Sequence, residues 1–243
     1  MGQSNSQETL NLLYEYDSFL DSIEVVADMG CGNGQDLEWW ATLMTRDDPP
    51  EPHNYLCYAI DKNIKQLDAS VLENTNIVAI EGNFETRLIP RQVDLIWCYN
   101  SFQYVTNPLG TLKVWNETMN VNGMLVLTVP QFQSYEYNRL KTRSISGCYY
   151  HYNICNLMYM LAVNGFDCRD CYFDMKENDP WIKAAVYKSE HAPMDPATTT
   201  WFDLADKHLV NDSVIQSLNK YSQVVQEELL FTWLDRDWRY AKN

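Results

Sequence analysis

The sequence predicts an α/β fold: a doubly wound, mostly parallel sheet. Three observations predict it. Short, near-continuous apolar runs recur between residues 23 and 129, as expected of strands buried on both faces. Segments with helical apolar spacing separate them, the pattern of βαβ units with right-handed crossovers. Finally, the first strand runs into a loop with three glycines at alternate positions, "VVADMGCGNGQ" at 25–35, a strand–loop–helix of the kind that opens nucleotide-binding domains.

The elements follow in order. Residues 7–20 carry Leu10, Leu13, Phe19 and Leu20 at partly helical spacing. Residues 23–29 form the first buried strand, and 36–45 a helix that buries Leu37, Trp40 and Met44. Three prolines and four charges exclude regular structure from 46–52. A second strand spans 55–60 and ends at Asp61; Ile64, Leu67 and Val71 then mark a helix. Strands at 77–80 and 93–99 follow, and Leu109, Leu112, Trp115 and Met119 form a helical stripe. Asn122-Gly123 turns the chain into a fifth strand at 124–129, stopped by Pro130. Residues 131–151 are polar and tyrosine-rich. A helix at 153–163 ends at Asn164-Gly165, and strands at 166–173 and 182–187 flank a turn around Asn178-Asp179-Pro180. From Glu190 the chain is irregular, then helical, with Val214, Ile215, Leu218, Tyr221, Val225, Leu229 and Trp233 in one period. The division expected is a domain at 1–189, with an N-terminal helix in 1–22 and a core at 23–189. A helical extension at 190–243 then packs on that domain or on a second copy in a homodimer.

Composition narrows the function. A length of 243 residues fits one α/β domain with additions, and 46% apolar and 13% aromatic content supplies a large core. The formal charge is −15, from 18 basic against 33 acidic residues. Phosphate backbones call for clustered lysine and arginine, so nucleic acid is a poor partner. The short basic cluster at 139–143 reads as a solvated face. Seven cysteines, scattered and partly within apolar runs, read as reduced, buried thiols of a cytoplasmic protein. Cys168 and Cys171 form a lone CxxC, with no second pair to complete a metal site. No run of 18 apolar residues and no secretory leader occurs. The first six residues match the short myristoylation pattern, but no basic cluster beside them supplies a second membrane signal.

The glycine loop departs from the GxGxxG dinucleotide fingerprint: Gly30 and Gly32 fit, Gln35 takes the last place, and Gly34 comes one residue early. Asp28 lies two residues before Gly30, where it would repel a pyrophosphate. A cationic ligand without phosphate suits it better. Asp61, ending the second strand, can accept hydrogen bonds from both ribose hydroxyls; its structural alternative is a cap on the next helix.

In order, "VVADMGCGNGQ", "YAIDKN", "IEGNFE", "VDLIWCYNSFQYV" and "VNGMLVLTVP" resemble the motif set of class I S-adenosylmethionine-dependent methyltransferases, over roughly residues 23 to 190. The likeness is nearest to the branch acting on small molecules. It implies a Rossmann-like, seven-stranded sheet with one antiparallel strand, and "GFDCRDCYF" and "WIKAAVYKS" match its closing hairpin. It implies that Asp28, Gly30, Cys31, Gly32 and Gly34 hold the methionine part of the cofactor. Asp61 would bind the ribose and Lys62 would flank the adenine. Asn83 stands where the family shows an acid for the adenine amino group, with Phe84 after it, and an amide oxygen can accept that bond. Cys98 and Tyr99 would meet the cofactor through backbone atoms.

The reaction implied is transfer of a methyl group from S-adenosylmethionine to an O, N or C atom of a small acceptor, leaving S-adenosylhomocysteine. His151 and Tyr104 are the candidate catalytic residues, although Tyr104 stands where the family often has a histidine. Tyr99, Tyr104, Tyr149 and Tyr150 could wall a cationic or planar acceptor, or simply pack. Neither the motif of amino methyltransferases acting on bases nor the Pro-Cys pair of cytosine enzymes occurs. The competing readings are a cofactor-binding protein without catalysis, a protein or nucleic-acid methyltransferase, and a nicotinamide oxidoreductase.

Overall fold

The computed structural model describes residues 6, 8–10, 22–43, 55–86, 89–130, 150, 152–174 and 181–224. The expected helix at 7–20, the proline-rich loop, the tyrosine-rich stretch, the turn at 178–180 and the helical period beyond 224 lie largely or wholly outside those residues. Seven strands form one sheet: β1 (Val25–Met29), β2 (Leu56–Asp61), β3 (Ile77–Glu81), β4 (Val93–Tyr99), β5 (Met119–Pro130), β6 (Phe166–Asp174) and β7 (Trp181–Lys188). Their order is β3-β2-β1-β4-β5-β7-β6. β7 runs antiparallel to both of its neighbours, and the other pairs are parallel. The fold is thus the Rossmann-like sheet with one antiparallel strand that the sequence led us to expect.

Alternation along each strand divides the apolar residues between two layers. Val26, Leu95, Trp97 and Val126 face α1 (Gln35–Leu43) and α2 (Ala69–Glu73), where Leu37, Trp40 and Val71 close the packing. Ala27, Ile96, Cys98 and Leu127 face α3 (Pro108–Thr118) and α4 (Ile154–Val163), with Leu112, Trp115, Leu157 and Leu161. The short helices α5 (Trp201–Asp206) and α6 (Asp212–Tyr221) add Leu204 and Val214 to this second layer, with Leu209 and Val210 between them. Helix starts have local causes. Asn107 caps α3, Asn153 closes a capping box on α4, and Thr200 does the same on α5.

Two elements differ from expectation. The helix marked by Ile64, Leu67 and Val71 is broken into a 3-10 turn at Ile64–Gln66 and then α2, because Leu67 is extended, with ψ 138. The amide of Asp68 donates to the Asn33 carbonyl at 3.0 Å, tying that break to the glycine loop. At Asn122-Gly123 the chain does not begin a new strand. β5 starts at Met119, paired with Val93, and resumes pairing at Met124 with Leu95, so residues 120–123 bulge out. Asn122 takes the positive φ of 64° that this excursion needs.

Candidate active site

In a parallel α/β sheet ligands bind outside the carboxyl ends of the strands, where the strand order reverses. Here the reversal lies between β1 and β4, and a cavity of about 590 Å³ opens there. Ser6, Asp28, Gly30, Cys31, Gly32, Asn33, Gln35, Asp36, Tyr99, Asn100 and Ser101 line it.

The loop after β1 is held by backbone bonds. The amides of Gly30 and Cys31 donate to the Ile60 carbonyl at 2.8 and 3.2 Å, pinning the loop to the end of β2. Gly30 has φ 83°, and a Cβ there would collide with the side chain of Ser101, whose hydroxyl donates to the Gly30 carbonyl at 3.0 Å. Gly32 has φ 57°, and a Cβ there would meet nothing within 4 Å. Its backbone therefore borders open space, a bare cradle for a ligand. Gly34 instead lies against α2: a Cβ there would come within 3.0 Å of Leu67 and Val71.

The site is acidic. Asp28 is 3% exposed. Burial first, then the charges of Asp36 and Asp61, push its carboxyl well above the ordinary aspartate range. Asp36 accepts from the Trp97 indole at 2.9 Å and from the Ser6 hydroxyl at 2.7 Å. Asp61 accepts from the Gly32 amide at 3.2 Å and from the Asn63 amide at 2.9 Å. One carboxylate thus ties the glycine loop to the turn after β2. Three acids converging on one loop favour a cation and disfavour a pyrophosphate.

Of the residues singled out in the sequence, Asp28, Gly30, Cys31, Gly32 and Tyr99 line the cavity. Asp61 and Lys62 lie beside it at the end of β2, half-buried and exposed respectively. Asn83 is exposed, and its side chain accepts from the Glu85 amide at 3.1 Å. Phe84 is buried, with its carbonyl bonded to the Trp115 indole at 3.0 Å. Cys98 is buried within β4. Tyr104, in a 3-10 turn at Phe102–Tyr104, is 37% exposed. His151 lies outside the described residues. Burial, then the Asp28 charge, raises the thiols of Cys31, Cys57 and Cys98, Cys57 to about 12. Such thiols stay protonated and unreactive.

Sequence reasoning passed over Asp36, Asn100 and Ser6 as site residues. Asn100 has φ 59°, and its buried side-chain oxygen has no hydrogen-bond partner among the described residues. The signal for Asn100 was its place directly after a buried strand. For Ser6 there was none, since only folding brings it to Asp36.

This sheet order, with a glycine loop and an acid at the switch point, matches the Rossmann-like methyltransferase fold. Residues 27–127 match the family described as a methyltransferase domain. No curated protein matches the sequence. Among solved structures, the chain is similar to the N-methyltransferase NodS from Bradyrhizobium japonicum WM9 in complex with S-adenosylhomocysteine. That match has 13% identity and a TM-score of 0.56, and covers 78% of this chain and 90% of that one. Human N-acetylserotonin methyltransferase in complex with S-adenosylmethionine matches with 15% identity and a TM-score of 0.54, over 74% of this chain and 51% of that one. An O-methyltransferase family protein from Burkholderia thailandensis matches with 10% identity and a TM-score of 0.56, over 76% and 56%. At these identities the likeness is one of fold.

Proposed function

We propose that the protein transfers a methyl group from S-adenosylmethionine to an O, N or C atom of a small-molecule acceptor. The observation that carries this reading is the open cradle at Gly32 beside the buried Asp28, within a cavity at the β1/β4 switch point. The acid cluster gives the fit test: a sulfonium and an ammonium relieve the repulsion among Asp28, Asp36 and Asp61, whereas a nicotinamide dinucleotide adds to it. Asp28 with Gly30, Cys31, Gly32 and Gly34 would hold the methionine part. Asp61 keeps lone pairs for the ribose hydroxyls, Lys62 would flank the adenine, Asn83 and Phe84 would meet it, and Cys98 and Tyr99 would contribute backbone atoms.

When bound, the cofactor supplies a methyl group already activated on sulfur. The protein's own task is then to hold donor and acceptor in line and to exclude water. A proton must leave only where the acceptor is protonated, and Tyr104 and His151 are the candidate groups to take it. A cytoplasmic location fits the protonated thiols, and no helix among the described residues is long and apolar enough to cross a membrane.

Calorimetry with S-adenosylmethionine and with NAD, followed by transfer of a labelled methyl group to metabolite extracts, tests the reading. Binding of the sulfonium compound with label moved to small molecules is expected. Binding without transfer to any extract would make the chain a cofactor-binding protein, and tight binding of NAD alone would make it an oxidoreductase domain.

A further inference from the structure

A polar row crosses the sheet next to the cavity. Tyr99 of β4 stands opposite Thr128 of β5, and Thr128 stands opposite Lys183 of β7. Directly opposed residues project from the same face. Two strand spacings set the length of the row at about 10 Å, the scale of a small metabolite. Tyr99 lines the cavity, so one end of the row is part of the cavity wall.

The composition of the row is unusual for a sheet interior. Lys183 is 2% exposed, and lysine is among the side chains least often fully buried. Thr128 is fully buried, and its hydroxyl has no hydrogen-bond partner among the described residues. Such a group costs stability unless something satisfies it. Glu8 and Thr9 lie against the row. The Thr9 hydroxyl is 3.2 Å from that of Tyr99, and the Glu8 carboxylate is 3.5 Å from the Lys183 ammonium. The Glu8 side chain is 44% exposed, against 3% for Lys183. A carboxylate thus reaches from the surface onto a buried cation.

The geometry points to an acceptor subsite for small organic carboxylates, with Lys183 as the charged anchor, Thr128 as a donor beside it, and Glu8 as the internal carboxylate that the substrate displaces. The inference deepens the functional reading above and rests on it for the place of the methyl donor. The carboxylate is the handle, and the row orients the acceptor across β5 toward Tyr99 and the cavity.

The test uses the full chain saturated with S-adenosylhomocysteine, and also without it. Acetate, butyrate and benzoate are titrated against acetamide, butyramide and benzamide by ligand-observed NMR. At least one carboxylate should bind about tenfold more tightly than its amide. Glu8→Gln should tighten that carboxylate, Lys183→Met should abolish the preference, and Lys183→Arg should keep it. Affinity for S-adenosylhomocysteine should be the same in all three variants, which verifies their folding. If every carboxylate binds no better than its amide, or if Lys183→Met retains the preference, the subsite does not exist. Failure of S-adenosylhomocysteine to bind while carboxylates still do would instead sink the cofactor reading and leave the anion subsite standing.

Discussion

At the scale of single residues, the buried Asp28 works against the fold. Its folded pKa lies above the unfolded value, so the folded chain holds the proton more tightly. That contribution to stability is fully present below the unfolded pKa and is lost as pH rises through the folded one. Above the unfolded pKa the folded site must either keep a proton or bury a charge, so the acid destabilises the empty site, and Asp28→Asn should raise Tm in a thermal melt. A cationic ligand prefers the ionised form, so binding should release protons. Calorimetry in buffers of different ionisation enthalpy should detect that release, and affinity for S-adenosylmethionine should rise with pH through the Asp28 transition. The same Asp28→Asn change should weaken that affinity by about tenfold or more. A gain in stability coupled to a loss in binding marks a functional rather than a structural acid. Gly32→Ala makes the complementary case. Its φ of 57° costs an alanine about 1 kcal/mol, with no neighbour to collide with. The variant should fold, with a modest drop in Tm, and lose affinity because the methyl group fills the cradle.

At the scale of elements, the turn after β3 is bound to the start of α3 by one buried carboxylate. Burial alone would raise the pKa of Glu85. Hydrogen bonds from the Thr106 hydroxyl and from the Thr106 and Asn107 amides, with the charge of Lys62, outweigh it, and the net shift is downward. The Thr106 hydroxyl and amide reach Glu85 at 2.6 and 2.8 Å. The stabilisation is present above the unfolded pKa and is lost as pH falls through the folded one. Thr106→Val should cost about 1–2 kcal/mol at neutral pH in urea unfolding, and the difference from wild type should shrink in acid, once Glu85 is protonated in both. Elements of this kind also show what the sequence made legible. The strands could be read because burial on both faces leaves runs such as 93–99 without a polar interruption except Asp94. The glycine loop could be read because Gly30 and Gly32 need backbone conformations that other residues resist. The break between Ile64 and α2 could not, since helical spacing continues across it and only the Asp68–Asn33 bond reveals it. Nor could the row of Tyr99, Thr128 and Lys183: it exists only in the register of strands that lie far apart in the chain.

At the scale of the whole molecule, the net charge of −15 acts on every approaching ligand. S-Adenosylmethionine carries a net positive charge, S-adenosylhomocysteine none, and a carboxylate acceptor a negative one. The long-range field should therefore speed the first, ignore the second and slow the third. Added salt screens the field, since the Debye length falls from about 30 Å at 0.01 M to about 3 Å at 1 M. The association rate of S-adenosylmethionine should then fall several-fold across that range, while that of S-adenosylhomocysteine stays nearly flat and that of a carboxylate rises. Trp97 offers the readout: its indole bonds to Asp36, which lines the cavity, and its ring stacks on Tyr99 at 5.1 Å. Stopped-flow quenching of tryptophan emission at two salt concentrations separates the three ligands. Opposite salt slopes for donor and acceptor would show that the acidic exterior selects the cofactor at long range, while Lys183 selects the acceptor only at contact. Equal slopes would mean that local acids at the cavity mouth, and not the net charge, govern entry.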